Sequence, residues 1–393
     1  MKRRAFLAGF GAAAAAARAS AQIPLHPIIP GQPIQPARQL TIGVNVPLSG
    51  DLGAYGAQVV QGVRAAIDEN NLLSANITQI AYGVRQFDDQ NSGAISSANA
   101  DIAAADSTII GLVGNLTADV TIATLSQYAN SGFAVVVPSV TADALTRRGY
   151  HNVYRLPTRD DVAGRLFAST IFRKQASHFA LAVTLDGAYG PDVASGFAQQ
   201  AKADRRNVDI VTLPTSAFDA AGAARAIVAR APDYLFLCGK VAALGPLVPA
   251  LASAGYNGGY GLSDGFYSQA SITQYGAQLG NAVVYSSLPP LDRIPSIIQQ
   301  LTDLRREVDG ITALIAYGYA AAQVIIQGAS RQNALTRFSL ITAMQMAGGF
   351  NTLVGPYSFD SNGDPLIPNL YFFKINGTSF TYLEPAVRNG YVV

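Results

Sequence analysis

The chain has 393 residues, of which 49 % are hydrophobic and 13 % charged, with a net charge of +2. That length and apolar content allow two domains with cores of their own and exclude a disordered chain. The body has no Lys/Arg cluster, which excludes a nucleic-acid binder recognisable by charge, and a single cysteine, Cys238, excludes an internal disulfide.

The N-terminus reads as an address label. Lys2-Arg3-Arg4-Ala5-Phe6-Leu7 is a twin-arginine n-region, an apolar stretch runs from Ala8 to Ala17, and Ala19-Ser20-Ala21 gives an A-x-A cleavage site. Residues 1–21 are therefore expected to be a signal peptide, with export to the periplasm. Its removal takes away four of the 27 basic residues and none of the 25 acidic ones, so the net charge turns slightly negative. Residues 22–38 carry Pro24, Pro27, Pro30, Pro33 and Pro36 at a spacing of three, which predicts an extended tether.

From Leu40 onward, short apolar runs alternate with helical segments. LTIGVNV predicts a buried strand, Ala54 to Asn70 a helix, and ITQIAYGVRQF a second strand. A helix (Gly93 to Ala105), the strand TIIGLVG, a helix (Ala118 to Ala129) and the strand FAVVVP follow. The rhythm restarts near Asp160: helix Val162 to Arg173, strand HFALAVTL, helix Gly190 to Ala203, strand NVDIVTL. A helix at Ala220 to Ala229, DYLFLCG, a helix from Leu244 to Ala254, YGLSDG and AVVYSS complete it. This is the pattern of βαβ units, hence of parallel sheets covered on both faces. Residues 311–329 lack charge, but Thr312, Gln323, Gln327 and the small residues predict a helix buried in a core rather than in a membrane.

Catalytic signatures are missing. Gly50, Gly53 and Gly56 in VPLSGDLGAYG follow a strand and precede a helix, but the spacing is neither GxGxxG nor a Walker loop. The acids at the end of the second strand, Asp88-Asp89, lie too far beyond Gly56 for a dinucleotide site, which wants an acid about twenty residues on. His26, His151 and His178 lack a second ligand at helical spacing, so no metal is expected. Cys238 ends an apolar strand and reads as a packed residue; the pairs Asp88-Asp89 and Asp160-Asp161 read as helix-end acids. No nucleophile elbow occurs. The chain is expected not to be an enzyme and to need no cofactor.

The carboxyl ends of the predicted strands, where parallel sheets bind ligands, are rich in hydroxyls and tyrosines. They offer Ser49 and Tyr55, Thr117, Ser139 and Thr141, Asp186 and Tyr189, Lys240, and Asp264 and Tyr267. Such residues form two walls able to bond and stack on a small polar organic molecule.

Five segments, IGVNVPLSGDLGAYGAQVVQGVRAAIDE, QFDDQNSG, FAVVVPSVTADALTRRGYHNVYRL, DGAYGPDVASGF and AYGYAAAQVI, resemble the Leu/Ile/Val-binding receptors of ABC transporters, the type I periplasmic binding proteins. The similarity runs from about Leu40 to about Asn376. It implies an α/β clamshell of two lobes, each a parallel sheet with helices on both faces, joined by three hinge crossovers. The expected division is 39–158 with 288–360, and 159–287 with 361–393.

By position, the resemblance puts Tyr55 on an aromatic wall and places the Ser139 carbonyl and the Thr141 hydroxyl and amide on an amino acid's ammonium and carboxylate. Tyr189 becomes the aromatic contact of the second lobe and Asp264 its acid. The family's carboxylate-binding serine is Ala118 here, leaving backbone amides and Thr117 for that role. An aromatic position is Lys240, and two cysteines bridged in some members are Asn91 and Thr117. Asp119 sits beside the carboxylate position. The resemblance thus implies a periplasmic receptor, monomeric, that closes on an amino acid or related small carboxylate and delivers it to a membrane ABC permease. The alternative is a clamshell acting as a ligand sensor or envelope protein-interaction domain.

Overall fold

The computed structural model describes residues 38–393 except 175–176, 188, 216–217, 291–297, 309–311, 332, 347, 389–390 and 393. The expected signal peptide and nearly all of the Pro-rich tether lie outside the described residues; the tether's last residue, Arg38, opens the first strand.

β1 (Arg38–Val46), α1 (Gly53–Thr78), β2 (Ile80–Asp88), α2 (Gly93–Ala104), β3 (Ile109–Gly114), α3 (Ala118–Asn130) and β4 (Ala134–Val137) alternate as predicted, and β5 (Val153–Arg155), a strand the sequence did not predict, follows β4 with no α-helix between. Their strands form one parallel sheet in the order β2-β1-β3-β4-β5. β3 and β4 are apolar and buried at every position, as strands covered on both faces must be. The one displaced boundary is the end of α1. The helix continues to Thr78 and Gln79, at φ 56°, turns the chain in the left-handed region, so Ile77 belongs to the helix rather than to the strand.

The second series is α4 (Asp160–Lys174), β6 (Ala180–Leu185), α5 (Tyr189–Ala203), β7 (Val208–Leu213), α6 (Ala220–Val228), β8 (Tyr234–Cys238), α7 (Val241–Leu244), α8 (Leu247–Ser253), β9 (Gly259–Leu262), α9 (Gln269–Tyr275) and β10 (Val283–Ser286). The single helix expected over Leu244 to Ala254 is two short ones, because Pro246 has no N–H to continue the first. The chain then returns to the first sheet with α10 (Ile298–Glu307), α11 (Ala313–Arg331), α12 (Arg337–Met346) and the hairpin of β11 (Phe350–Thr352) and β12 (Gly355–Tyr357). It ends on the second sheet with β13 (Tyr371–Asn376) and β14 (Ser379–Pro385), followed by β15 (Val387–Arg388) and β16 (Tyr391–Val392). The second sheet has the order β14-β13-β10-β9-β8-β6-β7; β13 and β14 run antiparallel, an edge that the alternating pattern did not predict.

α11 is the core helix expected at 311–329, and among the described residues no helix is long and apolar enough to cross a membrane. Its glutamines are engaged: Gln323 Oε1 accepts from the Leu353 amide and Gln327 Oε1 from the Asn351 amide, while the Thr312 hydroxyl just ahead donates to Gln58. α11 packs on α1 through facing glycines. A Cβ on Gly62 would lie 2.0 Å from the Ile315 carbonyl, and one on Gly318 would lie 2.4 Å from that of Val59. The second lobe repeats the device, Gly164 of α4 meeting the Val193 carbonyl and Gly196 of α5 that of Asp161.

The chain thus passes between the sheets three times: after β5, after β10 and after β12. Arg155, fully buried at the end of β5, ties the first and third passages together. Its Nε donates to Asp364 Oδ1 (2.8 Å), its Nη1 to the carbonyls of Thr141 and Ala142 (2.7 Å each), and its Nη2 to Thr146 Oγ1 (2.5 Å). Arg159 holds the other oxygen of Asp364 at 2.9 Å and also pairs with Asp161.

Two outcomes are expected in unfolding experiments. Gly62→Ala should lose stability by about 1–3 kcal/mol because carbonyl and helix must separate, a cost above the gain of about 1 kcal/mol in helix propensity. The exposed Gly280→Ala, whose Cβ would meet nothing nearer than 3.9 Å, should lose none. Arg155→Met should cost about 3–5 kcal/mol by leaving the buried Asp364 with Arg159 as its remaining cation and the Thr141 and Ala142 carbonyls without a donor, and Arg155→Met/Asp364→Asn should recover part of it in denaturant melts.

Candidate functional site

In both sheets the strand order reverses once near the middle, between β1 and β3 and between β6 and β8. Crevices outside the carboxyl ends of strands at such points are where open α/β sheets receive ligands. The loops there carry most of the residues singled out from the sequence.

On the first sheet, the loop after β3 is held by a buried polar network. Asn115 Nδ2 donates to Asp89 Oδ2 and to Ser96 Oγ (2.8 Å each), and Asn45 Nδ2 donates to Tyr128 Oη (2.9 Å), which donates in turn to Asn115 Oδ1. Burial pushes the Asp89 carboxyl above its ordinary range against the bonds from Asn115 and Asn91. Asp88 accepts from the amides of Leu48 and Gln90. The pair Asp88-Asp89, read from sequence as helix-end acids, instead shapes two loops.

Thr117 stands at the N-cap of α3 but does not cap it; its hydroxyl donates to Asn91 Oδ1 at 2.7 Å. The first amides of α3, beginning at Ala118, therefore have no side-chain cap, which is the state in which a helix N-terminus attracts an anion. Asp119 is exposed in that first turn. Ser139 donates its hydroxyl to the Leu116 carbonyl (2.8 Å), joining the loops after β3 and β4. The Thr141 carbonyl takes Arg155 Nη1 and the Asp160 amide, and its hydroxyl bonds to the Asp160 carboxylate.

On the second sheet, Tyr189 at the start of α5 donates its hydroxyl to Asp264 Oδ1, and the Gly265 amide bonds to that same hydroxyl at 3.3 Å. Burial raises the Asp264 carboxyl, opposed by the Tyr189 bond and the charge of Lys240. Lys240 itself is exposed at the N-cap of α7. Cys238 is fully buried at the end of β8 and its thiol is pushed up by burial, in keeping with a packed residue. Tyr55 is 50 % exposed, two residues into α1. The glycines before it have local reasons: Gly50 adopts φ 66°, and a Cβ on Gly56 would lie 1.8 Å from the Pro47 carbonyl. The loop is thereby a tight strand-to-helix turn.

Sequence reasoning missed two members of this constellation. Asp160, read as a helix-end acid, is 2 % exposed and faces the charge of Asp264; burial and that charge push its carboxyl well above the ordinary range. Tyr285, inside the apolar run of β10, is buried with an unpartnered hydroxyl near Tyr189, Asp264 and Asp160. No local pattern distinguishes either from a capping acid or a core tyrosine. Among the described residues no group of His, Cys, Asp and Glu suits a metal ion.

Comparison with known proteins gives a consistent answer. The family profile described as "Periplasmic binding protein" matches residues 39–379. A Leu/Ile/Val-binding protein homolog 1 of Brucella abortus is 26 % identical over 348 residues, 85 % of this chain and 89 % of that protein. Among solved structures, the ABC transporter substrate-binding protein of Desulfitobacterium hafniense in complex with Leu superposes with a TM-score of 0.73 at 21 % identity, over 88 % of this chain and all of the other. A solute-binding protein of R. palustris in complex with benzoate gives 0.71 at 18 %, over 89 % and 96 %. The chain belongs to the periplasmic binding protein family, and its two α/β lobes are those of the type I fold.

Proposed function

We propose that this protein is the solute receptor of an ABC importer, closing its two lobes on an amino acid or related small carboxylate and presenting it to a membrane permease. The observation that carries this reading is that Thr141, at the carboxyl end of the first sheet, bonds to Asp160 at the start of α4, where Asp160 meets Asp264 and its partner Tyr189 from the second sheet. The lobes correspond to residues 39–158 with 288–360 and 159–287 with 361–393. Hinge closure about the three passages brings the two walls together. The twin-arginine segment directs the folded protein to the periplasm.

In the bound state the uncapped amides of α3 and the Thr117 hydroxyl receive the ligand carboxylate. Ser139, Thr141 and Asp264 receive its ammonium, because a buried cation needs a paired anion. Tyr55 and Tyr189 supply the stacking surfaces. The Leu/Ile/Val-binding relatives and the Leu-bound neighbour support an aliphatic amino acid. Lys240 near Asp264, together with the benzoate-bound neighbour, supports a second reading in which the ligand is a carboxylate without an amine. No step of bond chemistry is assigned to the site.

A thermal-shift screen separates the two. A ligand at about 100 times its Kd stabilises by about 2.7 kcal/mol, a shift of several degrees. Shifts with L-leucine and other amino acids are expected; shifts with benzoate alone reassign the carboxylate to Lys240, and none with either rejects the receptor reading. Thr141→Ala/Asp264→Ala should fold and lose binding by at least about thirtyfold, since truncating one side of a buried charge pair costs about 2–5 kcal/mol. Unchanged affinity by calorimetry would refute the site.

A further inference from the structure

The first turn of α4 holds two neighbouring carboxyls with opposite fates. Asp161 pairs with Arg147, Arg159 and Arg165. Asp160, 2 % exposed, has no ion pair among the described residues, and its Oδ2 has no hydrogen-bond partner. Arg155 is close enough for its charge to act on Asp160, but its bonds go to Asp364, to the Thr141 and Ala142 carbonyls and to Thr146. What faces Asp160 instead is a second acid, Asp264, whose Oδ1 is taken by Tyr189. The hydroxyl of Tyr285, 1 % exposed and also without a partner, stands near both acids. Beyond the Thr141 hydroxyl, Asp160 keeps an orphaned oxygen beside a second acid, and the Tyr285 hydroxyl is left with neither its donor nor its acceptor used. Burial makes this concentration of acid costly unless a cation or a proton completes it.

We propose that Asp160 and Asp264 form one two-carboxylate cation site, which carries a single proton at neutral pH and releases it to solvent when the ligand's ammonium group enters. This deepens the receptor reading and rests on it for the identity of the entering cation. Two carboxylates confined together in a low-dielectric site do not both ionise readily, so one proton stays until a fixed positive charge replaces it. The ammonium N–H groups then satisfy Asp160 Oδ2 and Tyr285 Oη. Other groups facing the pair are Arg155 and Asp143 on the Asp160 side, Lys240 and Tyr189 on the Asp264 side, and Tyr317 from α11. Of the cations, Arg155 is engaged elsewhere and Lys240 is exposed, so neither replaces the proton. Because binding expels a proton, affinity should rise with pH by up to about tenfold per pH unit below the pKa of the pair.

The proton is readable without ligand. An acid raised in the folded state contributes stability that is complete below its unfolded pKa, near 3.8, and is lost as pH rises through its folded value. Thermal unfolding of the full chain between about pH 4 and about pH 8 should therefore show the wild type falling progressively below Asp160→Asn. Parallel curves would overturn the proposal. Should Asp160→Asn fail to fold, Asp264→Asn relieves the same repulsion and must diverge from wild type in the same direction, parallel curves again overturning it. Calorimetry with L-leucine in buffers of different ionisation enthalpy then counts protons. Release of close to one per ligand supports the proposal, and binding with none released overturns it while leaving the receptor reading intact. The unfolding curves decide it whether or not L-leucine binds.

Discussion

The buried guanidinium of Arg155 constrains the segments that meet between the two sheets. A cation with no exposure must meet anions and carbonyls on every side, and it does so by drawing in Asp364 from the third passage and the Thr141 and Ala142 carbonyls from the loop after β4. The position of Thr141 is therefore set by an ion pair at the hinge as much as by the strand before it. Arg159 extends the same system to Asp161, and Asp161 reaches Arg165 and Arg147. The passages between the sheets and the loop after β4 share one electrostatic unit. Breaking its bonds would strand a charge in the interior, so they hold these segments together.

Two further polar systems differ in how completely they are satisfied, and the difference separates their roles. Asn45, Ser96, Asn115, Tyr128 and Asp89 bond to one another behind the loop after β3. A network closed in this way holds its backbone rigidly. Asp160 and Tyr285 end in orphaned oxygens. Interiors tolerate few of these.

The glycine-bearing turn VPLSGDLGAYG shows how a local feature misleads when read alone. Its glycines suit a phosphate loop in outline, but Gly56 is required by the Pro47 carbonyl and Gly50 by a left-handed turn. Reciprocal glycines at the α1–α11 and α4–α5 crossings make the same point in the core, where a missing Cβ lets one helix rest on the carbonyls of another. In each case glycine answers a backbone neighbour distant in sequence or hidden by the turn.

The sequence by itself determined the α/β class, the alternation of elements from β1 to β10 except β5 and α9, and α11 as a core helix, because these depend on hydrophobic periodicity, which is a local property. It also indicated Tyr189 and Asp264 as a pair of interest, since both follow strand ends, and the structure bonds them. The break at Pro246 was legible too, had proline been given its usual weight. The antiparallel edge of β13 and β14, the meeting of Asp160 with Asp264, the orphaned Tyr285 hydroxyl and the anchoring of Thr141 by Arg155 were not. The seating of β13 on β10 and the meeting of Asp160 with Asp264 join residues far apart in the chain, and burial alone tells a capping acid from a desolvated one. Burial is a property of the packed whole, so only the tertiary structure decided which carboxylates in this chain are paired and which still lack a partner.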